Sequence, residues 1–122
     1  MHLIKESNNI INIIKGDFCK FPISLFIGRF PTRQKMALEN DDKAYFGIFD
    51  SNVSFDQAVV KKVLTKDDMD EYDNLWVTLL PEDTINLAVG TYYYEVKVLY
   101  KDDDNIEHID TVIQRTKFIV LD

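Results

Sequence analysis

A single cysteine, Cys19, rules out an internal disulfide, and the four glycines stand alone, so no glycine-rich loop cradles a phosphate. The two histidines, His2 and His108, lie far apart, and with one cysteine they give no local zinc spacing. No apolar run approaches the roughly 20 residues of a membrane span. Nor do the basic residues gather: 14 Lys and Arg are interleaved with 21 Asp and Glu, for a net charge of -7. That balance repels phosphate backbones and anionic lipid surfaces, so neither nucleic acid nor membrane is expected as a partner. The opening MHLIKESNNI lacks the apolar stretch of a secretory signal, and synthesis in a cytoplasm is expected.

What is present is enough for one core. A chain of 122 residues with 46% hydrophobic and 12% aromatic content argues against disorder and for one domain, over residues 10–122, behind a polar N-terminal arm at 1–9. The organising stretch is Leu75–Tyr100. In its second half Tyr92, Tyr94, Val96 and Val98 alternate with Tyr93, Glu95 and Lys97, the period of a strand with one buried face. Pro81-Glu82-Asp83-Thr84 ends the preceding strand in a short helical or turn-like corner, and Gly90 opens the next. Two antiparallel strands joined by such a corner, with a Tyr just inside the second, is how an immunoglobulin-like sandwich crosses between its sheets. Tyr92 is the better candidate for the corner hydroxyl and Tyr94 for plain core; the alternative is that both are core aromatics.

The rest of the chain falls into line. Strands are expected at Ile10–Ile14, Phe21–Ile27, Ala44–Asp50 and Ala58–Leu64, with Glu107–Leu121 as a long or bulged closing strand. Gly28–Lys43 is expected to be a loop with one helical turn, and Asp67–Asp73 a solvated acidic loop. The expected fold is an all-β, immunoglobulin-like sandwich of about seven strands. Phe21, Ile23, Leu25, Val77, Leu79, Tyr92, Tyr94, Val96 and Phe118 form its predicted core.

Few residues invite chemistry. Asp68, Asp70 and Asp73 lack the glycine and distal glutamate of a calcium loop, and Asp102–Asn105 lacks a partner glutamate. No nucleophile-elbow motif marks a serine, and Cys19 reads as a small buried hydrophobe. No enzymatic activity, cofactor or metal is expected.

Three segments carry a resemblance: Lys15-Gly16-Asp17; Tyr45–Asp50 through Phe55–Lys62; and Pro81–Thr84 through Gly90–Val96. Together they resemble the small immunoglobulin-like domains of phages and prophages of Gram-positive bacteria, related to the N-terminal domain of baseplate upper proteins. Thr111–Val112–Ile113 to Thr116–Lys117–Phe118 fits the closing strand of such domains. The resemblance implies a virion protein made in a bacterial host cytoplasm, bound to other virion proteins, with self-association on the particle. The baseplate proteins continue into a shaft and receptor-binding domain, whereas this sequence stops at Asp122, so the expected role is capsid decoration, cement or a head or tail adaptor. The alternative is a baseplate-associated or host-surface carbohydrate-binding module.

Register suggests where attachment occurs. If Leu75, Val77 and Leu79 point inward, then Trp76, Thr78 and Leu80 point outward, as does Tyr93 on the following strand. Trp76, Leu80 and Tyr93 are therefore the candidate partner-binding residues. The competing expectation is that a loop, Phe30–Lys43, covers Trp76 within the chain.

Overall fold

Alternation of apolar and polar side chains builds the sheets. The computed structural model describes residues 10–27, 34–51 and 54–122; Met1–Asn9, the expected arm, lie outside them. β1 (Ile11–Ile14), β5 (Lys43–Phe49), β6 (Val60–Leu64), β8 (Gly90–Lys101) and β9 (Glu107–Leu121) form one sheet in the order β1-β9-β8-β5-β6. β1 runs parallel to β9 and the other neighbours are antiparallel. Opposite lie β2 (Cys19–Ser24) and β7 (Asn74–Leu79), paired antiparallel. Pro22 fits because, among the described residues, β2 pairs on one side only, which leaves room for a residue without an N–H.

The inner faces meet in an aromatic ladder. Phe21 of β2 lies edge-on to Phe46 of β5 at 6.0 Å, Phe46 stacks on Tyr94 of β8 at 5.7 Å, and Tyr94 meets Phe118 of β9 at 6.4 Å. All of the predicted core residues are buried. Burial also pushes the Tyr94 phenol up to about 12, so it stays neutral throughout the physiological range.

The crossing from β7 to β8 follows the sequence closely. α1 (Pro81–Thr84) begins with Pro at its first position, and the Asp83 carboxylate accepts the Leu80 N–H at 2.7 Å. Thr84, fully buried, accepts the Gly16 N–H at 2.9 Å, which ties the β1–β2 turn to this corner. Gly16 has φ +80°, a conformation that glycine adopts without strain. The Tyr92 hydroxyl donates to the Ala88 carbonyl at 2.8 Å, a tyrosine corner. With two packed sheets, a first strand paired to the last and this corner, the fold is an immunoglobulin-like β-sandwich.

Three expectations are corrected. The Phe21–Ile27 strand breaks at Leu25: β3 (Phe26–Ile27) leaves to pair with β4 (Gln34–Lys35). Residues 34–43 contain no helix: Leu38 is drawn into the core and its N–H bonds the Met69 sulfur at 3.1 Å, ahead of a turn closed by the Asp42 N–H on the Glu39 carbonyl at 3.1 Å; residues 28–33 lie outside the described set. Third, β6 starts at Val60, since Phe55–Gln57 forms a 3-10 turn instead of leading straight into the strand.

Candidate docking surfaces

Trp76 alternates with buried Leu75 and Val77, so it stands on the outer face of the two-stranded sheet, half-buried and across from Pro22. Its indole N–H donates to Asp70 Oδ2 at 2.8 Å, and the Lys20 ammonium sits 5.5 Å from the ring centroid. The other Asp70 oxygen accepts the N–H groups of Tyr72 and Asn74, at 2.9 and 3.0 Å. These donors, the indole foremost, hold the Asp70 carboxyl below its ordinary value. Among the described residues, Trp76 is held by Asp70 of the Asp67–Asp73 loop and by Lys20; of the Phe30–Lys43 loop expected to cover it, residues 30–33 lie outside the described set. Residues 34–43 brace the Asp67–Asp73 loop, through Lys35 Nζ to the Tyr72 carbonyl at 2.8 Å and to Asn74 Oδ1 at 2.9 Å. The signal for this arrangement was an aspartate placed two, four and six residues before its three donors.

Leu80, 38% exposed, caps α1 at the end of β7, and Tyr93, 37% exposed, is on the outer face of the five-stranded sheet. Because the two sheets pack inner face to inner face, Trp76 and Tyr93 point away from each other. The three candidates do not form one patch.

The face that carries Tyr93 has a larger feature. Tyr45, Phe55, Asp56, Lys61, Lys62, Val63, Lys97 and Ile109 line an open groove of about 530 Å³. Val63 and Ile109 are 57% and 59% exposed. Cross-strand register places them together: Tyr45 lies opposite both Val63 and Lys97, and Lys97 opposite Thr111. One wall is the Phe55–Gln57 turn, folded over Gly47. A Cβ on Gly47 would come within 2.9 Å of Phe49 Cζ and 3.0 Å of Phe55 Cζ, so glycine is what lets the turn close. Phe49, although on the outer face, is buried beneath Phe55 at 5.4 Å and the Arg115 guanidinium at 3.9 Å.

Charge is sorted as well. Lys43, Lys61, Lys97, Lys101, Arg115 and Lys117 fall on this outer face by register, against Glu95, Glu107 and Asp56. In a chain with 21 acidic and 14 basic residues, one face is thus basic and the remainder correspondingly more acidic. Some of these charges are engaged: Arg115 meets Glu95 at 3.5 Å, and Lys97 donates to Thr111 Oγ1 at 2.9 Å.

Elsewhere the polar groups serve the fold. Cys19 is half-buried, and burial followed by the nearby Asp17 pushes its thiol up, away from the reactive thiolate. At the β8–β9 tip, Asp102 meets His108 Nε2 at 2.7 Å and accepts the N–H groups of Asp104 and Ile106. Tyr100 stacks on His108 at 5.3 Å and donates to Asp110 at 2.6 Å. Among the described residues no group of three or more His, Cys, Asp or Glu is placed to hold a metal, and no helix is long and apolar enough to cross a membrane. Compared with known proteins, the chain matches no family model and no curated protein sequence.

Proposed function

We propose that this chain is a non-enzymatic structural component of a phage particle, a capsid-decoration or head or tail adaptor domain. It binds other virion proteins through the outer face of the five-stranded sheet. The observation that carries this reading is the groove: an open, apolar-floored concavity with exposed Val63 and Ile109, on a basic face of an acidic protein. Exposed aliphatics beside Tyr45 and Phe55, ringed by lysines, have the make-up of an interface core with a charged rim. The resemblance of the strand and corner segments to phage immunoglobulin-like domains supplies the particle as the setting. Quantitative mass spectrometry of purified particles tests it: the protein is expected at a fixed stoichiometry to the major structural proteins, and its absence overturns the reading.

A second reading has its own support. Tyr45 and Phe55 line one groove together with Lys61, Lys97 and Asp56, the aromatic and polar combination that a sugar-binding module needs. Calorimetric titration with host-surface glycans separates the two, since a saturable heat that disappears in Tyr45→Ala favours the carbohydrate.

A further inference from the structure

We propose that the groove takes the Asp67–Asp73 loop of a second copy of this chain, an inference that rests on the outer face of the five-stranded sheet being the docking surface. The loop presents Tyr72, the most exposed large hydrophobic side chain among the described residues at 70%, between Glu71 and Asp73. Its backbone is clamped at both ends of that residue: the Tyr72 N–H is held by Asp70 and the Tyr72 carbonyl by Lys35. The backbone there has little conformational entropy left to lose on docking. The groove offers the complement. Tyr45, Phe55, Val63 and Ile109 accept an aromatic ring, while Lys61 turns positive charge toward the flanking carboxylates, beside Lys97, which also faces Glu95 at 4.0 Å.

Plug and groove sit on different sides of the sandwich. Asp70 rests on Trp76, on the outer face of the two-stranded sheet, whereas the groove lies on the outer face of the five-stranded one. One molecule cannot fill its own groove. The association is heterologous, each copy giving its loop to the next, and it generates a ring where the rotation closes or a row of copies where it does not.

Sedimentation over a concentration series up to about 1 mM, the range in which weak contacts populate, tests this. Wild type is expected to self-associate, more weakly as salt is added. Tyr72→Ala and Ile109→Glu, both at exposed positions and checked for unchanged melting, are each expected to weaken self-association at least about tenfold. Mixed together they are expected to form a 1:1 pair and stop, because one keeps the groove and the other keeps the loop. A wild type that stays monomeric overturns the proposal, as does self-association that Tyr72→Ala leaves intact. Loss of Ile109→Glu from particles with a strictly monomeric wild type identifies a different partner for the groove and leaves the attachment reading standing. Self-association by a protein absent from particles does the reverse.

Discussion

Asp70 accounts for more of the local order than any neighbouring residue. Its two oxygens take three N–H donors, and one of them is the indole of the sole tryptophan. Its carboxyl is held below the ordinary value of 3.8, so the stabilisation is fully present above that value and is lost as the pH falls through the lowered one. Tryptophan emission should therefore be flat from neutral pH down to about 4 and shift only below it. Asp70→Ala should show a shifted emission already at pH 7, and an unchanged spectrum would mean that the indole bond contributes nothing. Tyr92 permits a cleaner comparison. Tyr92→Phe removes the hydroxyl bond to Ala88 and should cost about 1 kcal/mol, whereas Tyr93→Phe, on the exposed face, should cost nothing measurable by chemical denaturation.

At the scale of elements, two joints fix the geometry. Thr84 of α1 holds the β1–β2 turn through a part-buried bond, and Thr84→Val keeps the shape but strands the Gly16 N–H. The expected loss is about 1–3 kcal/mol, with faster hydrogen exchange at Gly16. Gly47 of β5 lets the Phe55–Gln57 turn lie on the sheet. Gly47→Ala forces Phe49 or Phe55 to move and should cost about 1–3 kcal/mol. It should also widen the groove, visible as a lower affinity for whatever the groove binds. The strands themselves were legible in the sequence because a two-residue period needs only local information: Tyr92, Tyr94, Val96 and Val98 declared the inner face of β8 unaided. Phe49 did not. It continues the outward set of Tyr45 and Gly47, and it is covered by Phe55 and the distant Arg115. The helical turn expected within Gly28–Lys43 is missing from the described residues 34–43 for a similar reason, since contact of Leu38 with the core outweighs local propensity.

At the scale of the molecule, sheet pairing decides what shares a surface. The outward positions of β7 and β8 were readable, but that they open on opposite sides follows from β7 pairing with β2 while β8 pairs with β5 and β9. The same pairing gathers lysines scattered from Lys43 to Lys117 onto one face, although in sequence they are interleaved with acids. Neither the groove nor the basic face has a linear motif. The central claim is that this face attaches the domain to a particle, and its most direct measurement is incorporation of Ile109→Glu into purified virions relative to wild type, by quantitative mass spectrometry at matched melting temperature. The account predicts that incorporation is abolished while Trp76→Ala particles still carry the protein; an Ile109→Glu variant that incorporates at the wild-type level contradicts it.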